Sequence, residues 1–274
     1  MAFLFLYATT NEGVNGLIMD VITAQRDYVT KVVRLMIWYV WHLSIRSNSV
    51  PTDEALDRHV DIMRKTTLFD GRHPAEGLKP SVPEWNALKT ELALRIGTYT
   101  DLHTELLEDT CWALLEPYIT PTFDRVVETR QLYGCWSYEI PDNKPHTIDI
   151  HFANGYRPES PFKEHWSDLV ATRLQLIEDA RVDHPAVTTI QCDSWLNQFE
   201  PFAALFPPSW RASFVPVFDY LATNGWWGQY KDERGAFHEK RAKQFRSTGA
   251  HPYSVGLCEC DIEEVVKHLR RPWK

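Results

Sequence analysis

The sequence lacks the local signatures of several large enzyme classes. It contains no G-x-x-x-x-G-K-[ST] loop, no G-x-G-x-x-G and no H-E-x-x-H, which withdraws support from nucleotide hydrolysis, Rossmann cofactors and zincin chemistry. It has no surplus of positive charge. With 37 acidic against 29 basic residues the formal net charge is −8, so neither nucleic acid nor an anionic membrane is expected as a partner. It also has no apolar run of membrane-spanning length. The most apolar stretch, Leu35–Ile45, is about eleven residues long and is interrupted by His42, where a spanning helix needs about twenty; a buried helix is expected. The opening run Ala2–Ala8 lacks a basic flank and a clear cleavage site and reads as a strand or packed arm, not a signal peptide. Cysteine is scarce and odd in number. A disulfide framework of five cysteines would leave one thiol over, so a reducing, cytoplasmic location is expected. Cys258 and Cys260 form a C-x-C pair with no second Cys or His pair at zinc-ligand spacing, and no metal site is assigned.

A chain of 274 residues with 44% hydrophobic residues can bury a substantial core in one large domain or two of ordinary size. From about Asn15 to Arg46 apolar residues recur at three- and four-residue steps, the period of a long helix. Pro51 and Thr52 open a second helix, of about Asp53–Lys65; Ser81 and Pro83 introduce a third, Val82–Gly97; Thr100 or Asp101 caps a fourth, Asp101–Tyr118. The period then changes. Gly134–Ile140 and Thr147–Ala153 are short, aromatic and β-branched, and a turn of Pro141–Pro145 separates them, which predicts a hairpin. In the second strand Ile148, Ile150 and Phe152 share one face, and Asp149 and His151 share the other. Ser160-Pro161 is a favourable helix start for a helix to about Arg181, whose Trp166, Leu169, Val170, Leu174 and Ile177 should lie on the sheet. Val187–Cys192 is the next strand, parallel to the first through the helical crossover. Two strands, Ser213–Tyr220 and Trp226–Lys231, a helix of about Ala236–Phe245, a strand of about Tyr253–Cys258 and a helix of about Asp261–Arg270 complete the expected order.

Chemistry concentrates at one edge of this strand–helix–strand unit. The first strand runs into His151-Phe152-Ala153-Asn154-Gly155-Tyr156-Arg157-Pro158-Glu159-Ser160. In open α/β arrangements ligands favour the crevice beyond the carboxyl ends of parallel strands, and the N–H donors of the following helix start suit an anion. The same loop can equally be scaffold, with Asn154 and Gly155 making a turn that His151 and Glu159 brace. The partner strand ends in Cys192-Asp193-Ser194-Trp195-Leu196-Asn197, which a parallel crossover brings to the same edge. A Ser–His–Asp triad has its residue types there but not the strained G-x-S-x-G elbow. A general base, His151 or Asp193, asks less of the geometry. Asn154, Tyr156, Arg157, Glu159, Ser194 and Asn197 are the accompanying candidates for substrate binding, and Trp227 and Gln229 join them if Trp226–Lys231 walls a pocket instead of packing both faces in core.

Lys231, Arg234, Lys240, Arg241, Lys243 and Arg246 make a basic segment in an acidic protein. It is either a solvated helix face or a surface for a phosphorylated cofactor or an acidic carrier protein. Asp101, Glu105 and Asp109 recur at four-residue steps without the Glu-x-x-His spacing of di-iron bundles, and read as a solvated acidic face.

The element order from Gly134 to Lys231, with I-D-I-H-F-A-N at Ile148–Asn154, C-D-S-W-L at Cys192–Leu196 and L-F-P-P at Leu205–Pro208, resembles the GNAT-like C-terminal domain of bacterial proteins labelled acyltransferases. About a hundred residues carry the likeness. The resemblance implies two splayed parallel strands with acyl-CoA in the gap and its pyrophosphate at the start of the intervening helix, here Tyr156–Phe162. The Gln/Arg-x-x-Gly-x-Gly/Ala phosphate loop of that family is missing, and Pro158 and Pro161 remove two backbone donors.

The fold expected is therefore α/β (α+β): a helical region over 1–125 and a GNAT-like mixed sheet with a β-α-β crossover over 126–274. The function expected is modification of a small-molecule substrate, possible in specialised biosynthesis, with acyl transfer to an amine implied by the resemblance. Elimination or cyclisation on a carrier-linked intermediate, and a non-catalytic subunit whose tryptophans anchor a partner enzyme, are the other two readings.

Overall fold

The structure is a computed structural model and describes residues 12–78, 80–99, 104–119, 132–217 and 224–272. The chain opens with α1, Glu12–Trp41, extended by one wide turn at His42–Arg46. Every residue from Leu35 to Trp41 is buried. A helix apolar on all sides belongs at the centre of a layer, and α1 is packed by α2, Thr52–Arg58, by α3, Pro83–Thr98, and by α4, Thr104–Leu115. Pro51 precedes α2 and Pro83 is the first residue of α3, the position where a missing N–H costs nothing. The second helix is shorter than its pattern predicted, ending at Arg58, with a separate 3-10 turn at Met63–Lys65.

Beyond residue 131 the chain builds a mixed sheet. Its strands are β1, Leu132–Tyr133, β2, Trp136–Glu139, and β3, Thr147–Phe152, followed by α5, Trp166–Asp183, and β4, Thr189–Ser194. Short helices α6, Glu200–Ala203, and α7, Pro208–Ala212, lead to β5, Val215–Pro216. After α8, Asn224–Trp227, and α9, Glu239–Thr248, come β6, Gly256–Asp261, and α10, Ile262–Leu269. Among the described residues the strand order is β1-β2-β3-β4-β6-β5, with β3 and β4 the one parallel pair. The chain is thus a mixed α/β protein with a helical N-terminal half.

The predicted alternation of β3 holds. Ile148 and Ile150 are buried under α5 with Ile190 and Cys192 of β4, while Asp149 and His151 stand on the opposite face. Leu169, Val170, Leu176, Ile177 and Ala180 form the buried stripe of α5. At the centre of that layer is Arg173, fully buried, its guanidinium 4.1 Å from the Phe206 ring and 5.2 Å from Trp136 and donating to the Leu205 carbonyl. Burial lowers its pKa to about 9.

Several expectations need correction. Trp226–Lys231 is not a strand: it is α8 followed by a 3-10 turn, Gly228–Tyr230. Short aromatic runs carry no period that separates strand from buried helix, and here Trp226, Trp227 and Tyr230 are enclosed by the helical core. The last strand is three residues further on than Tyr253–Cys258, so that Cys258 and Cys260 both face the core and Asp261 caps α10 by accepting from the N–H groups of Glu263 and Glu264. Of Ser213–Tyr220 only Val215–Pro216 pairs, and residues 218–220 lie outside the described set, as do Ala2–Ala8 and Asp101.

The cores do not divide at residue 125. Trp226, Trp227, Tyr230, Phe237, Ala242, Phe245 and Val255 pack into the core of α1 to α4, and the chain then returns to the sheet with β6 and α10. Arg246 fixes this return by gripping Glu108 of α4 with both terminal nitrogens, at 2.5 and 3.0 Å. Among the described residues no helix is long and apolar enough to cross a membrane.

Candidate functional site

The parallel pair comes apart halfway. Thr147 is paired with Thr189, Ile148 with Ile190 and Asp149 with Gln191, and there the register ends, although β3 continues to Phe152 and β4 to Ser194. Residues 192–194 keep their antiparallel partners in β6, 256–258, so it is the β3 side of β4 that opens. The wedge is the inner part of a pocket of about 620 Å³, lined by Ile150–Asn154 on one strand and Cys192–Leu196 on the other. Arg157, Phe162 and Lys163 of the loop after β3 form its rim, Lys231, His238 and Arg241 of the C-terminal segment face them, and Tyr28 and Lys65 from the helical half complete it.

His151 and Asp193, the two candidate bases, both line this pocket. Nε2 of His151 lies 3.2 Å from the Glu139 carboxylate across the hairpin. Behind them a polar row crosses the sheet: Lys144 donates to Oε1 of Gln191 at 2.8 Å, and Nε2 of Gln191 donates to Asp149 at 3.1 Å. Desolvation raises the pKa of Asp149. Desolvation, seconded by the Asp149 carboxylate, raises that of Asp193 as well. Asp193 is exposed on the pocket wall, with protein crowding its carboxyl from the sheet side. A carboxyl held above its ordinary range is a better proton acceptor than a surface aspartate and remains available near neutral pH.

The other candidates divide between rim and scaffold. Arg157 and Ser194 line the pocket, but the Ser194 hydroxyl accepts from the Leu196 N–H and caps the turn Trp195–Gln198. With Ser194 so used and His151 against Glu139, the triad arrangement is not formed. Asn154 also lines the pocket, yet its amide is committed: Nδ2 donates to the carbonyls of Glu159 and Glu233, and Oδ1 accepts from Tyr156 N–H. It clamps the loop after β3 to the C-terminal segment. Tyr156 stacks on His165 at 3.9 Å, and Glu159 bonds the same imidazole at 2.6 Å; both stand outside the pocket lining. Asn197 is buried, donates to the carbonyls of Cys192 and Gly256 and accepts from Trp210, so it joins β4, β6 and α7 and has nothing left for a substrate. Trp227 and Gln229 are fully buried, and Gln229 ties Trp226 to Tyr253. They are core.

Sequence reasoning missed Tyr28, Lys65, Phe162, Trp195, Phe199 and His238 as lining residues. The basic segment was the one signal available. Lys231 and Arg241 turn into the pocket and Arg246 into the Glu108 pair, while Lys240 and Lys243 remain exposed.

The start of α5 does not fit the pyrophosphate of a CoA. The helix begins at Trp166, not at Ser160-Pro161, and the intervening N–H groups of Glu159, Lys163 and Glu164 already donate to local carbonyls. Glu159, Glu164 and Asp168 surround the helix start, and carboxylates there oppose a second anion. Among the described residues no three or more His, Cys, Asp or Glu side chains are grouped to hold a metal ion. No family model, no curated protein and no solved structure matches this chain.

Proposed function

We propose that this chain is a small-molecule-modifying enzyme that works in the wedge between β3 and β4, with Asp193 as the proton acceptor and His151 beside it. The observation that carries the reading is the early end of the β3–β4 pairing, which opens the sheet at a point where a carboxyl of raised pKa faces a pocket. Acyl transfer to an amine is the chemistry we favour. The strand order, with its single parallel pair splayed at the carboxyl end, is the order expected of a GNAT-like domain; Asp193 would take the proton released as the amine attacks the acyl carbonyl, and the C–S bond of the thioester donor would break to release a thiol that takes up that proton. The donor is then one whose recognition does not depend on a pyrophosphate seat on α5.

That misfit at α5 also favours a second reading, elimination or cyclisation of a carrier-linked substrate with the same carboxyl as base. A non-catalytic subunit anchored by tryptophans has less support, because Trp38, Trp41, Trp85, Trp136, Trp210, Trp226 and Trp227 are all buried in the chain's own cores.

Thermal-shift and native mass-spectrometric screens against acetyl-CoA, longer acyl-CoAs and the corresponding N-acetylcysteamine thioesters separate the two chemistries. Stabilisation by thioesters of both kinds supports acyl transfer, and no response to any thioester removes it. Wild-type turnover in both His151→Ala and Asp193→Asn, once a reaction is assigned, would sink the wedge as the catalytic centre.

A further inference from the structure

Charge is unevenly distributed inside the pocket. The chain carries −8, yet the pocket is lined by Lys65, Arg157, Lys163, Lys231 and Arg241 against the carboxylates of Asp193, Asp232 and Glu233. Asp232 is partly committed, since its Oδ1 accepts from the N–H groups of Arg234 and Ala236 at 2.9 Å.

Arg241 is the cation best prepared for a ligand. Its guanidinium lies 5.0 Å from the Trp195 ring and 5.2 Å from Tyr253, and Nη1 donates to the Gln229 carbonyl at 2.8 Å. A planar fork held over aromatic rings and anchored on a carbonyl has little freedom left to lose when it binds a carboxylate or phosphate. Among the described residues it makes no ion pair, in contrast to Arg246, which is paired with Glu108. Desolvation is the main influence on it, and a cation in that state gains most from an anionic partner. Lys231 adds to the same side, its amine 4.6 Å from the Tyr28 ring.

The negative pole is separate. Asp193 makes no ion pair among the described residues, and the charge nearest in effect is the like charge of Asp149. Trp195, which carries Arg241, comes two residues after Asp193, about 7 Å along extended chain. Beside Arg241 the same pocket has a continuous aromatic lining: Phe152 stacks on Phe162 at 5.2 Å, Phe162 meets Phe199 at 5.5 Å, and Phe199 meets Trp195 at 5.9 Å.

We propose that the substrate is an amphoteric amine of the aromatic amino-acid type, with its amino group at Asp193, its planar apolar body on the Phe162–Phe199–Trp195 surface and its compact anion on Arg241. The role of the amine rests on the proposed function; the seat for the anion does not.

Isothermal titration of the wild-type chain with L-phenylalanine, phenethylamine and 3-phenylpropionate tests this without any variant. Deleting the carboxylate or the amine should each weaken binding about tenfold or more, the worth of a charge-assisted hydrogen bond. Arg241→Gln, checked for an unchanged circular dichroism spectrum, should reduce L-phenylalanine to the affinity of phenethylamine and leave phenethylamine unchanged. Equal affinity for all three compounds, or binding of none, overturns the proposal. The two readings fail separately. Carboxylate-dependent binding with no acyl transfer removes the transferase and keeps the substrate class, whereas equally fast acylation of phenethylamine and phenylalanine keeps the transferase and removes the substrate class.

Discussion

Acid should unfold this protein in part through a single imidazole. His251 is enclosed by Tyr39, Trp226, Trp227, Tyr230 and Phe245, stacked on Phe245 at 4.4 Å and bonded through Nδ1 to the Tyr230 hydroxyl at 2.8 Å. Burial pushes its pKa down to about 3 from an ordinary 6.5. Between those values the unfolded chain binds a proton that the native chain refuses, so stability falls as pH falls. The contribution is fully present above about pH 6.5 and declines by about 1.4 kcal/mol per pH unit below it. From pH 7 to pH 5 the loss comes to about 2 kcal/mol. Burial and the Arg64 charge hold His73 at about 4, with the same sign and a similar loss over that interval. Glu108, Asp149 and Asp193, all raised by desolvation, act in the opposite sense and offset part of the total. The measurement is therefore differential. Urea unfolding of wild type and His251→Phe at pH 7 and pH 5 should show the variant losing about 2 kcal/mol less than wild type over that interval, whatever its stability at pH 7. An identical pH dependence of the two proteins would refute the reasoning.

Three further outcomes follow from the site and its supports. Asn154→Ala removes two hydrogen bonds that shape the loop after β3 and the one that ties it to the Glu233 carbonyl of the C-terminal segment; it should cost about 2 kcal/mol in denaturant unfolding and weaken pocket ligands, with the fold retained. Arg173→Met replaces a buried guanidinium whose Nε and Nη1 have no hydrogen-bond partner and should be neutral or raise stability by about 1 kcal/mol, so a loss above about 2 kcal/mol would show that the two ring contacts outweigh desolvation. In the assigned reaction, kcat/KM should rise with pH through a value above the ordinary aspartate range, reflecting the raised pKa of Asp193, and Asp193→Asn should abolish that limb. A pH-independent rate in wild type contradicts Asp193 as the base.

The sheet side of the pocket was legible because short strands announce themselves by alternation. Ile148 and Ile150 against Asp149 and His151, and the long crossover helix before Thr189–Ser194, determined which residues reach one edge. The exact start of α5 was not, because Ser160 closes local turns through its carbonyl, accepting from Lys163 and Glu164, instead of capping the helix. Nor did residue type reveal which polar groups would be spent internally: Asn154 and Asn197 look equally suited to a substrate, and only tertiary carbonyls decide otherwise. Tyr28 and Lys65 were beyond reach altogether. Each sits in an unremarkable helical pattern, and its place in the pocket depends on contacts with segments two hundred or so residues apart, such as Tyr28 with Trp227 and Lys231.

The path of the chain has a consequence for how this protein can be divided or borrowed. Because residues 226–255 complete the helical core before the chain goes back to supply β6 and α10, cutting near residue 125 would strip the first piece of Trp227 and Phe245 and leave the second with an aromatic face in water. Neither piece is an exchangeable module. The pocket draws on both, so it exists only once the whole chain has folded, and a ligand that fills it should hold the two layers together as one cooperative unit.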